Sequence, residues 1–111
     1  MIEKSDFEQL ETQLDAYASQ KKLKSQEAQP VIDDYFEMIL NYFKQINEID
    51  HINFDKLSEY PVVPMNFDER YHYMVSRKYH FMGYRQMKTL KSELIKMNAS
   101  YKIRKKRQNN K

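Results

Sequence analysis

Residues 65–87 read MNFDERYHYMVSRKYHFMGYRQM, and this stretch decides how the rest of the chain is interpreted. Asn66 is suited to cap the first turn of a helix, and Glu69, three residues later, is suited to complete a capping box. The twenty residues after Asn66 hold six aromatic residues, two histidines, four basic residues and Gly83, the only glycine of the chain. We therefore place a helix start and the candidate functional surface in this stretch.

The segments before this stretch carry apolar residues at helical spacing, which predicts an all-α fold. A first helix is predicted over residues 6–22, with Ser5 and Glu8 forming its capping box. A second helix is predicted from Pro30, which suits a first turn, to Asn47. This helix has the broadest apolar face and is expected to form the centre of the core through Ile32, Tyr35, Phe36, Ile39, Leu40, Phe43 and Ile46.

The connection to the third helix is predicted to contain a short helix and an extended strap. Asn53 is expected to cap one or two helical turns over residues 54–59. Residues 61–64 read PVVP, and each proline disfavours the helical conformation of the residue before it. The PxxP spacing also occurs in SH3 ligands, but we favour a strap that lays its two valines on the core.

Two further helices are predicted from Phe67 onward, separated by a break at residues 77–79, where the apolar phase shifts. The third helix is expected to bury Phe67, Tyr71, Met74 and Val75. The fourth is long and carries Tyr84, Met87, Leu90, Leu94, Met97 and Tyr101. Gly83 costs about 1 kcal/mol relative to alanine inside a helix, so we expect another backbone to approach it closely.

The resulting architecture is a compact bundle of four to five helices with a long last helix. Residues 1–101 are predicted to form a single helical domain. The last helix is expected to end near Lys102, and residues 102–111 are expected to be a basic, disordered tail. The sequence does not fix the oligomeric state, because the apolar residues of the last helix could form either the core of a monomer or the interface of a dimer. A monomer is favoured.

Composition indicates a cytoplasmic protein without disulfide bonds or a membrane span. Charged residues make up 32% of the 111 residues, and no apolar run approaches the roughly 20 residues that a membrane helix needs. The first residues lack the features of a secretory signal. The chain has no cysteine, which excludes thiol catalysis and cysteine-based zinc sites and fits a reducing compartment.

The charges are strongly segregated along the chain, although the net charge is only +3. Residues 1–69 hold 6 basic and 15 acidic side chains, a net charge of −9. Residues 70–111 hold 13 basic side chains and a single acidic one, Glu93, a net charge of +12. Either the two halves attract each other within the fold, or the basic half faces an anionic partner.

The candidate partner-binding surface is a stripe of basic and aromatic residues. On one continuous helix, residues 70, 73, 77, 80 and 84 would share a face. Arginines and planar rings are suited to hold phosphates and to stack on bases. The candidate residues are Arg70, Tyr73, Arg77, Lys78, His80, Tyr84, Arg85 and Lys88. The predicted partner is a nucleic acid or a nucleic-acid-processing complex, and the alternative is that these cations pair with acidic residues of the first two helices.

Two other functions are considered. The first is a protein–protein adaptor that contacts no nucleic acid and docks a basic partner through Glu8, Glu11 and Asp15 on the first helix. The second is a di-metal carboxylate enzyme, because segments 48–51 and 69–72 both read Glu-x-x-His. That site would require two further glutamates, such as Glu11 or Glu37. The short helices argue against it, and we predict no enzyme activity, no metal and no cofactor.

Residues 66–70 (NFDER) and 77–87 (RKYHFMGYRQM) resemble the core signature of the YpoC-like family, small helical proteins of Gram-positive bacteria. The resemblance is clearest over residues 61–95. It implies an all-α fold and a cytoplasmic bacterial protein. The family tends to be encoded beside DNA-replication-initiation and base-excision-repair proteins, which implies a link to DNA maintenance. It assigns no catalytic or binding residue to any position of this chain.

Overall fold

Helices form the regular secondary structure of residues 1–109, the part of the chain that this computed structural model describes. The elements are α1 (Lys4–Ser19), α2 (Gln29–Asn47), a 3-10 helix (Phe54–Glu59), α3 (Phe67–Ser76) and α4 (Phe81–Asn109). No strand occurs within residues 1–109. The prediction of an all-α fold with a long last helix is confirmed. None of the described helices is both long enough and apolar enough to cross a membrane.

The core is centred on α2, as its apolar pattern predicts. Six of the seven residues predicted for its apolar face are buried, and Leu40 is half-buried. Tyr35 lies between α1 and α4, because its ring contacts both Phe7 and Tyr84. Burial of each such large side chain contributes about 1.5–3 kcal/mol. Hydrophobic packing on α2 therefore holds α1 and α4 together.

Stacked rings attach the start of α3 to the core, and one buried amide attaches the strap. The Phe67 ring stacks on Phe43 with a centroid distance of 4.5 Å and an interplanar angle of 10°. Asn47, at the end of α2, donates to the Val62 carbonyl at 2.9 Å and accepts from the Val62 N–H at 2.8 Å. Val62 is buried and Val63 packs against the core, so the predicted role of the strap is confirmed.

The helix starts differ from the predicted capping boxes at two places. Helix α1 begins at Lys4, and the backbone N–H of Glu3 donates to the Asp6 carboxylate at 2.7 Å. The predicted Ser5–Glu8 box is wrong because this aspartate caps the helix two residues earlier. The predicted Asn66 cap is also wrong. Asn66 has a left-handed backbone (φ 58°), which asparagine tolerates, and its side chain makes no capping hydrogen bond. The Asn53 cap is confirmed.

Two predictions about the C-terminal half are corrected. Helix α4 does not end near Lys102 but continues to Asn109, so residues 102–109 are helical where we expected disorder. Lysine and arginine are good helix formers, and they are favourable near a helix C-terminus, where the helix dipole is negative. Residues 110–111 lie outside the described part. Val75, expected to be buried, is 48% exposed.

The predicted break between the last two helices is confirmed, and Gly83 makes it possible. Helix α3 ends at Ser76, and the Arg77 carbonyl accepts a hydrogen bond from the His80 N–H at 3.0 Å. A Cβ atom at Gly83 would lie 1.8 Å from the carbonyl oxygen of Arg77. The expected close backbone approach is therefore present, and it fixes the corner at which the chain reverses into α4.

Candidate functional site

The corner between α3 and α4 presents basic and aromatic side chains to solvent. We call this the corner surface and define it by Tyr73, Arg77, His80, Phe81 and Arg85. The Arg77 guanidinium lies over the Tyr73 ring, 4.7 Å from its centroid. Phe81, the first residue of α4, is 55% exposed. Because Gly83 allows the backbone of α4 to pass close to Arg77, Arg77 and the first residues of α4 lie at the same corner.

Arg70, a predicted binding residue, instead joins α3 to α4. Its two terminal nitrogens bind the Glu93 carboxylate at 2.7 and 3.1 Å, a bidentate pair. Its Nε and one terminal nitrogen also donate to Gln86 at 3.2 Å, and the Met65 carbonyl accepts at 3.3 Å. The Arg70 side chain is only 16% exposed, so its hydrogen-bonding capacity is used inside the protein.

Lys78 and Tyr79 attach the corner to α2 through one carboxylate. Lys78 Nζ lies 2.9 Å from Asp33 Oδ1, and the Tyr79 hydroxyl donates to the same oxygen at 2.7 Å. The hydrogen bonds from Lys78 and Tyr79 hold the pKa of the Asp33 carboxyl below its usual range. The same contact raises the pKa of Tyr79. Lys78 is thus also a structural residue, with its ammonium 5.0 Å from the centroid of the Phe36 ring.

Replacing Asp33 with asparagine is expected to lower the free energy of unfolding at pH 7 by a few tenths to about 1 kcal/mol, because the pair is partly exposed and screened. The folded-state pKa of Asp33 is depressed, so its stabilisation is present above the unfolded value of 3.8 and is lost as the pH falls through the folded value. Urea unfolding curves of both proteins should therefore converge once the pH falls below the folded-state pKa of Asp33. Asp34→Asn is the control, since Asp34 is exposed and should show no such convergence. A constant difference at all pH values would contradict the role of Asp33.

Tyr84 and Lys88 both contact Asp15 of α1. The Tyr84 hydroxyl donates to Asp15 Oδ1 at 2.7 Å, and Lys88 Nζ lies 3.0 Å from the same oxygen. Burial of Tyr84 and its hydrogen bond to Asp15 raise the pKa of this tyrosine. Burial opposes ionisation of Asp15, but the hydrogen bonds from Tyr84 and Lys88 outweigh it, so the pKa of Asp15 is lowered.

The eight predicted binding residues therefore do not form one stripe. The break after Ser76 separates those on α3 from those on α4, so they do not share the face of a single helix. Four of them hold the helices together through intramolecular contacts: Arg70, Lys78, Tyr84 and Lys88. The other four belong to the corner surface: Tyr73, Arg77, His80 and Arg85.

A nearly buried ion pair occupies the interface of α1, α2 and α4. Lys91 Nζ lies 2.8 Å from Glu11 Oε2, and the two side chains are only 10% and 13% exposed. The Tyr35 hydroxyl donates to the same carboxylate oxygen. Burial of Tyr35 and this hydrogen bond raise the pKa of the tyrosine. The Lys91–Glu11 contact is an example of the predicted attraction between the acidic and basic halves of the chain.

The two alternative sites are also located by the structure. On α1, Glu11 contacts Lys91 and Asp15 contacts Lys88. Of the proposed adaptor face, only Glu8 is both exposed and outside the ion pairs of residues 1–109. His72 of the second Glu-x-x-His segment contacts its own helix, with Nδ1 3.0 Å from the Asp68 carboxylate. Across the described residues, no three metal-ligating side chains come close enough to share an ion.

Two open grooves meet at Phe81, which sequence reasoning did not select as a site residue. The α4 groove, of about 610 Å³, is lined by Asp15, Phe81, Tyr84, Arg85, Lys88, Thr89, Ser92, Glu93 and Lys96. The α1 groove, of about 530 Å³, is lined by Ala18, Lys21, Leu23, Lys24, Tyr79 and Phe81. The spacing of residues 81, 85 and 88 is a helical signal that could have identified the α4 groove.

Comparison with known proteins gives one match. A family model described as YpoC-like protein matches residues 3–106, which include the corner surface and both grooves. No curated protein and no solved structure matches the chain.

Proposed function

The chain belongs to the YpoC-like family, and we propose that it is a non-enzymatic accessory protein that binds nucleic acid through the corner surface. The link to DNA maintenance implied by the family resemblance favours DNA as the partner and the bacterial cytoplasm as its location. Cationic side chains supply the phosphate contacts in such an interface, and aromatic rings supply contacts to bases.

The observation that carries this proposal is the unneutralised positive charge of the corner. Arg77 and Arg85 are exposed, and neither forms an ion pair among residues 1–109. Three acidic side chains lie near this region, and each is paired with a cation of its own. Asp15 and Glu93 line the α4 groove with Arg85, and Asp33 contacts Lys78. The surface therefore combines net positive charge with the exposed ring of Phe81 and the half-buried ring of Tyr73, which favours an anionic partner containing aromatic bases.

Binding of labelled DNA to the intact protein is expected to weaken steeply with salt, because each phosphate contact releases counterions. The double variant Arg77→Glu/Arg85→Glu should bind more than tenfold more weakly, and the slope of log K against log salt should fall by about two. Fluorescence anisotropy at several salt concentrations measures both quantities. Circular dichroism should show an unchanged fold, since both side chains are exposed.

A charge-matched control separates the corner from a general effect of net charge. Lys44→Glu/Lys56→Glu changes the net charge by the same amount in the acidic half, so it should affect binding far less. Equal losses in the two double variants would contradict the assignment of the corner. Loss of binding in a chain ending at Tyr101 would place the activity on the basic end of α4. No binding by the intact protein at low salt would overturn the proposal and leave a protein partner.

A further inference from the structure

We infer that the corner surface binds a single strand of nucleic acid, with one base stacked on the Phe81 ring and the phosphates in the two adjoining grooves. This inference rests on the proposed function and specifies its ligand. It follows from the position of Phe81, from the charges that line the grooves, and from the neutralisation of the carboxylates among them.

Phe81 is placed as a stacking platform between two grooves. It is the first residue of α4 and lines both the α4 groove and the α1 groove, with 55% of its surface exposed. The fully buried aromatic rings of the core, such as Phe7 and Tyr35, have their faces covered by neighbouring residues. An exposed ring between cationic grooves matches the pattern of proteins that bind single strands, in which bases stack on aromatic side chains.

Cationic side chains line both grooves that meet at Phe81. In the α4 groove, Arg85 and Lys96 follow Phe81 on the same helix face, over a length of roughly 22 Å at 1.5 Å per residue. In the α1 groove, Lys21 and Lys24 line the same groove as the ring. A strand that passes Phe81 and enters both grooves would therefore meet cations in each of them.

The two carboxylates that line the α4 groove do not cancel this charge. Asp15 is bound by Lys88 at 3.0 Å, and Glu93 is bound by Arg70 at 2.7 Å. Arg85 and Lys96 are both exposed and take part in no ion pair of the described chain. The groove thus retains uncompensated positive charge next to the ring.

A single strand fits this arrangement better than a duplex does. Bases inside a duplex are stacked on their neighbours and present only their edges in the grooves. An unpaired base presents a free face, which every base has, so stacking on Phe81 would tolerate many sequences. We therefore expect affinity for single strands with little sequence preference.

The experiment measures the affinity of the full chain for three labelled ligands by fluorescence anisotropy. These are an oligothymidylate of about 8 nucleotides, an abasic strand with the same number of phosphates, and a duplex of the same length. The protein variants are Phe81→Ala, Phe81→Trp and Val75→Ala. Val75 is the matched control, because it is an apolar residue on α3 that is 48% exposed and lines neither groove.

We expect Phe81→Ala to bind the oligothymidylate about tenfold to a hundredfold more weakly, as found when stacking residues are removed. The salt dependence should not change, because no cation is lost. Phe81→Trp should retain affinity, and Val75→Ala should match the wild type. The abasic strand should bind weakly, and Phe81→Ala should not weaken it further, since the base that stacks is already absent.

The outcomes distinguish this inference from the proposed function. If the wild type binds no nucleic acid, both fail. If it binds in a salt-dependent manner but prefers the duplex, or if Phe81→Ala and the wild type bind the oligothymidylate equally, the proposed function stands and the single-strand inference is overturned. An equal effect of Phe81→Ala on the abasic strand would also overturn it, because the ring would then act without a base.

Discussion

Gly83→Ala is expected to destabilise the protein by about 3 kcal/mol or more, although it adds only a single methyl group. The added Cβ would lie 1.8 Å from the carbonyl oxygen of Arg77, far inside van der Waals contact. The obstacle is backbone, so no rotation of a side chain relieves it. The turn between α3 and α4 would have to open, which disturbs the packing of both helices on α2.

The test is whether Gly83→Ala lowers or raises the free energy of unfolding. At an unconstrained helix position, alanine is favoured over glycine by about 1 kcal/mol. Urea unfolding followed by circular dichroism gives the free energy of unfolding of the variant. Ser100→Ala, an exposed position in the same helix, is the control and should change stability by no more than about 0.5 kcal/mol. A Gly83→Ala protein as stable as the wild type would show that the close approach to Arg77 is not required for the fold.

The second large effect is expected at the ion pair between Lys91 and Glu11. Lys91→Met should lower the free energy of unfolding by about 3 kcal/mol, because it leaves a nearly buried carboxylate without its cation. This lies at the low end for buried pairs, since the side chains are still 10% and 13% exposed. Adding Glu11→Leu and Tyr35→Phe should restore most of the loss, because the triple variant leaves no group of this network without a partner.

A second lysine on the same helix provides the comparison. Lys88 pairs with Asp15, but its side chain is 39% exposed, so Lys88→Met should cost no more than about 1 kcal/mol. Both variants remove one positive charge from α4, and they differ mainly in burial. Denaturant titrations of the two single variants and the triple variant measure these differences. If Lys91→Met and Lys88→Met cost the same, burial does not set the strength of the Glu11 contact.

Features set by local spacing could be predicted from the sequence, and those set by distant contacts could not. The apolar period of α2 and the phase shift near residue 77 identified the central helix and the break. The cost of Gly83 in a helix indicated a close backbone approach. By contrast, the buried position of Lys91 depends on Glu11, which lies on another helix. Helical spacing shows on which face of α4 Lys91 lies, but it does not show which residue of another helix Lys91 contacts.

Distant contacts also explain why only four of the eight predicted binding residues belong to the corner surface. Arg70, Tyr84 and Lys88 have the chemistry of a binding surface, but Glu93 and Asp15 lie close enough in the fold to bind them. Phe81 lay within the stretch from which the site was predicted but was not chosen, because an apolar residue on a helix is usually expected to face the core. Its exposure depends on the direction that α4 takes after the turn.

The segregation of charge along the chain shapes the order of events during synthesis. Ion pairs such as that between Lys88 and Asp15 join residues 73 positions apart, so α1 and α2 are made before the cations that neutralise them. Because translation adds about 5–20 residues per second, the apolar face of α2 stays uncovered for on the order of seconds before α4 is made. The nascent chain reaches a net charge of −9 once residue 69 has been added, and mutual repulsion between such chains opposes their aggregation. The negative charge of the acidic half thus opposes aggregation of the exposed apolar face of α2 until α4 is translated and covers that face.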